Sequence, residues 1–223
     1  KGFYIAGKAH SNYGQTALSL ASTLNMDYLD QLIPLNPDWD DRSPVTEEIN
    51  NSLVAEAFSK AGYKTIAFST GYNVSQMTGA DKFIEREGEL NKFEITLLSG
   101  SMGEGGTINE MLVEDYRQRV EWQADELERL VGEEGPKFIF AHFILPHPPF
   151  LFTGEDQELT SLAGGDGSAY SGTREEYIRG YAAQVKFTNL LAARMITNIL
   201  SRSTKPPVII LSGDHGPGSR LNW

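Results

Sequence analysis

The stretch VIILSGDHGPGSR, Val208 to Arg220, sets four branched apolar residues just ahead of Asp214 and His215, among glycines and a proline. A short, nearly continuous apolar run of this kind suits a strand covered on both faces. Its abrupt end in an acid beside an imidazole reads as a capped turn or as a metal site. Two more runs share the pattern. Lys64–Ser69 (KTIAFS) follows a stop signal at Gly62, and Lys137–Phe143 (KFIFAHF) follows Gly135-Pro136. Counting Pro207–Ser212 as the third, the chain is predicted to carry three buried strands.

Helical spacing precedes each of them. Ser43-Pro44 offers an N-cap and an N1 proline, after which Ile49, Leu53, Ala57 and Ala61 keep a helical stripe. Tyr116, Val120, Ala124, Leu127 and Val131 make a second stripe that stops at Gly132. Thr173 and Glu176 form a capping-box pair ahead of Tyr177, Tyr181, Val185, Leu191 and Met195. An earlier helix is predicted over about Thr16 to Leu29, entered from the turn Ser11-Asn12-Tyr13-Gly14 and capped by Ser11 or Asn12. Helices alternating with buried strands predict an α/β fold, with a mostly parallel central sheet and helices on both faces. Ser99–Gly106 and Thr153–Gly172 resist regular assignment and read as surface loops or substrate lids.

Composition narrows the function. The chain has 223 residues, 40% of them apolar, which is ordinary for a folded globular protein. A net charge of −11, from 30 acidic against 19 basic residues, disfavours nucleic acid or an anionic membrane as the main partner. No apolar run approaches the roughly 20 residues needed to cross a bilayer. Cysteine is absent, so disulfides, thiolate zinc sites and Cys nucleophiles are excluded. There is no G-K-[ST] for a P-loop and no G-x-S-x-G elbow for a Ser esterase.

The chemistry gathers around few residues. In an open parallel sheet, ligands bind beyond the carboxyl ends of the strands. His147, Asp214 and His215 all fall there, on two different strands. Imidazole with carboxylate suits Zn²⁺ or Mn²⁺ better than Ca²⁺. Prolines at 146, 148 and 149 stiffen the backbone around His147. His142, inside the apolar strand, reads as a hydrogen-bonded core or supporting residue ahead of a ligand. In HSNYGQTALSLASTLN, His10 to Asn25, a turn of small residues feeds a helix whose free amides and positive dipole end suit an anion. Thr16 sits on its first turn. Its hydroxyl is a poor nucleophile unless a metal or base activates it.

Together SNYGQTALSLASTLNMDYL, FIFAHFILPHPPF and VIILSGDHGPGSR resemble the sulfatase-like branch of the alkaline phosphatase superfamily. More narrowly they resemble bacterial sulfatase-like hydrolases and transferases related to lipoteichoic acid synthases and phosphoethanolamine transferases. The likeness runs from Ser11 to Arg220 and implies one catalytic domain over residues 1–223. It implies Thr16, followed by Ser19, as the nucleophile and a metal contact, and Asp214 and His215 as metal ligands. It implies a substrate or catalytic role for His147; Asn12, His10 and His142 join as substrate contacts. The implied cofactor is a divalent metal, Zn or Mn. The implied substrate is a phosphorylated or sulfated envelope lipid or glycan, met at the extracytoplasmic face of a bacterial membrane, with anchoring only through segments outside residues 1–223. The resemblance further implies truncation at both ends, with one acidic metal ligand upstream of Lys1 and a His downstream of Trp223. Many sulfatases carry a C/S-x-P-x-R motif, whereas residues 12–17 here read NYGQTA. A Thr hydroxyl therefore points to phosphoryl chemistry through a covalent intermediate. Sulfate-ester hydrolysis, and a non-catalytic binding domain that keeps the fold, are the alternatives.

Overall fold

Lys64–Phe68 (β1) is the middle strand of a three-stranded, all-parallel sheet, flanked by Lys82–Ile84 (β2) and Lys137–Phe140 (β3). The computed structural model describes residues 2–33, 42–88, 106–152 and 172–217. Because side chains alternate across a strand, β1 feeds two cores at once. Ala67 packs with Phe83, Phe138 and Phe140 against one group of helices, while Ile66 and Phe68 pack with Ile84, Ile139 and Leu130 on the opposite face. A strand buried on both faces has no polar alternate, which is why it reads as an unbroken apolar run.

The first face is covered by Thr16–Asn25 (α1), Leu29–Leu32 (α2), Ser43–Asn50 (α3) and Leu53–Lys60 (α4). Ala17, Leu20, Ala21 and Leu24 of α1 meet Val45 and Ile49 of α3 in that core. Gly106–Arg129 (α5) and Arg174–Arg202 (α6) pair with each other through Val120, Ala124, Leu191 and Met195. Trp122 and Leu127 of α5 also reach the second face of the sheet. The capping box at the start of α6 is present, with Thr173 and Glu176 each bonding the other's backbone N–H. Helices thus lie on both faces of a parallel sheet, the architecture expected from the sequence.

Several local expectations are corrected. The helix expected over residues 16–29 stops at Asn25, where Met26 takes the left-handed conformation (φ 54°) and its N–H caps α1. Its N-cap is Gln15, with no side-chain cap bond, in place of Ser11 or Asn12. The stripe from Ile49 to Ala61 is split, because Ser52 leaves the helix to cap α4, its side chain accepting from the Ala55 N–H. Ile49 is buried and Leu53 is exposed as a result. Arg42, not Ser43, is the N-cap of α3, which places Pro44 within its first turn. The strand β2 falls in a region that carries no strand signal of its own, being three residues long.

Pro207–Ser212 is not a strand. It joins no ladder among the described residues, and Val208 and Ile210 are 91% and 87% exposed. An apolar pattern states what a segment would bury, but a strand also needs a neighbour to take its backbone hydrogen bonds. Residues 99–105 and 153–171, which hold nearly all of the two expected loops, lie outside the described residues.

Candidate active site

Two short segments almost the whole chain apart meet at the start of α1. Thr16, the first residue of that helix, brings its Oγ1 to 3.2 Å from Nε2 of His215. One turn on, the buried Ser19 hydroxyl donates to the backbone carbonyl of Asp214. Thr16 and Ser19 lie on one face of the helix because residues three apart are neighbours there. The helix start therefore holds the Asp214-His215 turn by both a side chain and the main chain.

The turn arranges itself around those contacts. The His215 N–H donates to Oδ1 of Asp214 (2.9 Å), and Oδ2 lies 3.5 Å from His215 Nε2. His215 Nδ1 is 2.7 Å from the carbonyl oxygen of Gly216, which can only accept. Nδ1 therefore carries the proton, and the Nε2 lone pair is left to take the Thr16 hydroxyl proton in a hydrogen bond. A carboxylate oxygen, an imidazole lone pair and a hydroxyl thus converge, at a helix whose N-cap leaves its first amides without a side-chain cap.

The Sulfatase family model matches residues 5–222. The chain belongs to the sulfatase family. No curated protein and no solved structure matches it.

Sulfatase-family members are hydrolases that generally use a divalent metal, so the convergent donors can be tested for fit. Asp214 offers its carboxylate, with Oδ2 3.5 Å from His215 Nε2. His215 offers the ring nitrogen opposite a carbonyl-bonded N–H, the arrangement that orients metal-binding imidazoles. A nitrogen and oxygen set of this kind suits Zn or Mn, and the residues present fit the group as part of a shell. Among the described residues no set of three or more His, Cys, Asp or Glu side chains gathers there. Asp214, His215 and the Thr16 hydroxyl are the residues that would hold it.

His142 and His147 approach from the segment after β3. Burial holds the His142 imidazole below its ordinary value. The Asp214 carboxylate opposes that shift, whereas His215 and His147 reinforce it, so all four groups share one electrostatic neighbourhood. His142 stacks on Phe140 with nearly parallel rings. His147 Nδ1 donates to the Pro148 carbonyl at 2.6 Å, which leaves the lone pair on Nε2. Tyr181 of α6 stands in the same field: burial raises its phenol above the ordinary value, and Asp214 adds to the rise.

Asn12 and His10 belong to the segment ahead of α1. The Asn12 amide donates to Ser22 Oγ at 2.7 Å. Ser22 is six residues, about 9 Å, along α1 from Thr16. Asn12 thus braces the loop against the helix. His10 belongs to an exposed stretch, residues 2–10.

Sequence reasoning missed the residues that hold the 142–152 segment. Gln123 of α5 donates to the His142 carbonyl (3.0 Å), and the Tyr116 hydroxyl donates to that of Ile144. Gln184 of α6 donates to the His147 carbonyl (2.6 Å), and Arg117 donates to Leu151 O (2.8 Å). Gln123 and Gln184 are almost wholly buried. A signal for both exists in the sequence. Gln123 lies seven residues after Tyr116, and Gln184 lies seven after Tyr177 and seven before Leu191. An amide in core register must bond to something buried.

Proposed function

We propose that the chain is a phosphoryl-group transferase or hydrolase that cleaves a phosphodiester through a covalent intermediate on Thr16. The observation that carries this reading is the Thr16–His215 contact of 3.2 Å at an uncapped helix start. A hydroxyl is placed there beside an imidazole lone pair and a carboxylate, where helix amides can receive an anionic group. The absence of Cys removes the commonest precursor of the sulfatase nucleophile, and Thr16 stands at the matching helix start.

The chain's own residues then have distinct tasks. His215 Nε2 accepts the Thr16 hydroxyl hydrogen bond and so directs an oxygen lone pair outward. Ser19 and the Asp214 backbone keep that turn seated on α1. A divalent ion bound by Asp214 and His215 would take the Nε2 lone pair in place of the Thr16 hydroxyl proton, and would supply charge neutralisation and a more acidic Thr16 hydroxyl. Thr16 Oγ1 gives its proton to water and forms a bond to phosphorus as the bond to the leaving oxygen breaks. That oxygen takes the Nε2 proton of His147 in its imidazolium form, whose Nδ1–H stays tied to Pro148 O. Water or an alcohol then attacks phosphorus and gives its proton to His147 Nε2, while the departing Thr16 oxygen regains a proton from water. By the sequence resemblance, the substrate is a phosphorylated envelope lipid or glycan, met on the extracytoplasmic face of a bacterial membrane. Among the described residues no helix is long and apolar enough to cross a membrane.

Parallel assays with an aryl phosphodiester and an aryl sulfate, with Mn²⁺ or Zn²⁺ supplied, test the reading. Turnover of the phosphodiester is expected to vanish in Thr16→Ala and to fall about 10²–10⁴-fold in His147→Ala. Faster turnover of the sulfate than of the phosphodiester would instead establish a sulfate-ester hydrolase using an unmodified hydroxyl. No turnover of either, by folded chain loaded with metal, would leave a binding domain.

A further inference from the structure

The loop that carries His147 is gripped by one face of α6. Gln184 is fully buried and uses both ends of its amide on this loop. Its Nε2 donates to His147 O at 2.6 Å, and its Oε1 accepts from the N–H groups of Leu151 (2.8 Å) and Phe152 (3.4 Å). One turn earlier, Gly180 lets the loop approach: a Cβ there would lie 2.3 Å from Cδ2 of Phe150. Phe150 is buried against the rings of Tyr177 and Tyr181 on the same face. Loop backbone outside regular structure has few ways to pair its polar groups once buried. Here one side chain pairs three of them.

We propose that Gln184 is the positioning residue for His147: its amide fixes the His147–Pro148 peptide so that the Pro148 carbonyl takes the His147 Nδ1–H and Nε2 faces the site. The functional importance of that orientation rests on the reading of His147 given above; the orientation itself does not. Removing the amide frees the carbonyl of His147 and two buried N–H groups, so the peptide can turn and the imidazole can exchange its proton between nitrogens. Gln184 touches no reacting atom and acts only through this loop.

The test uses the 223-residue chain with ¹⁵N-labelled histidine, in which the four imidazoles can be followed singly by NMR. Wild type is expected to show His147 as the Nδ1–H tautomer. Gln184→Met, matched in length and lacking the amide, is expected to lose that fixed tautomer at His147 while His215 keeps its own. An unchanged His147 signature in the folded variant overturns the proposal. If Gln184→Met fails to fold, wild type alone decides. The Leu151 and Phe152 amides, though in a loop, should then exchange with solvent on the order of a thousandfold slower than an open loop amide. Exchange at the open-loop rate overturns it equally. Neither readout needs turnover. Wild type that is inactive but keeps His147 fixed therefore counts against the function alone.

Discussion

The imidazole of His142 lies among groups of mixed sign, and burial is what sets its protonation. Its folded value is depressed below the ordinary 6.5, so the folded chain stays neutral at pH values where an unfolded chain binds a proton. The sign follows from linkage: the unfolded state holds more protons in that window, so stability falls with falling pH. The contribution is fully present above 6.5 and is lost between 6.5 and the lower folded value. Melting temperature measured from pH 7.5 to 5 should therefore drop less steeply in His142→Gln than in wild type. Equal slopes would contradict the assignment. Asn25 offers a second test at this scale. Its Nδ2 donates to Ala21 O and Glu48 O and its Oδ1 accepts from Leu53 N, so one buried amide joins α1, α3 and α4. Asn25→Ala is expected to cost about 1–3 kcal/mol in urea unfolding, from the partners it strands.

At the scale of elements, the helix pair α5 and α6 serves two purposes. Its apolar positions pack the helices together, and Gln123 and Gln184 in the same register hold the His142 to Phe152 backbone. Gly180 shows which of two effects wins. Helix propensity alone favours Ala there by about 0.8–1 kcal/mol. Against that, a Cβ would meet the buried ring of Phe150 at 2.3 Å. Such overpacking costs typically about 1–3 kcal/mol. Gly180→Ala is thus expected to lower the urea midpoint, and a raised midpoint would show that the loop yields. The sequence made β1, β3 and the start of α6 legible because each rests on a local rule: an apolar run behind a Gly stop, or a Thr-x-x-Glu box. The break at Asn51-Ser52 was not legible, since the apolar stripe continues in phase across it. β2 is too short for a period to show, and Pro207–Ser212 reads as a strand on composition though none of the described residues pairs with it.

Across the whole molecule, the site exists only when the chain is folded, because Thr16 and His215 are 199 residues apart. The residue types of the site were legible in the motifs. What brings them together was not, because Ser19 reaches a backbone carbonyl and Gln184 a loop, neither of which leaves a pattern in composition. A divalent ion that binds only this folded arrangement should stabilise the chain by about 2.7 kcal/mol at a hundredfold excess over its Kd. Thermal unfolding with Mn²⁺ or Zn²⁺ should show the rise in wild type and none in Asp214→Asn or His215→Ala. Equal rises in all three would place the ion elsewhere. The central claim, a covalent intermediate on Thr16, is tested most directly by intact-mass analysis of chain quenched during phosphodiester turnover. Wild type should gain the mass of the transferred phosphoryl-bearing group, mapped by fragmentation to Thr16, and Thr16→Ala should gain none. An adduct that persists in Thr16→Ala, or turnover by wild type with no adduct on Thr16, would contradict the account.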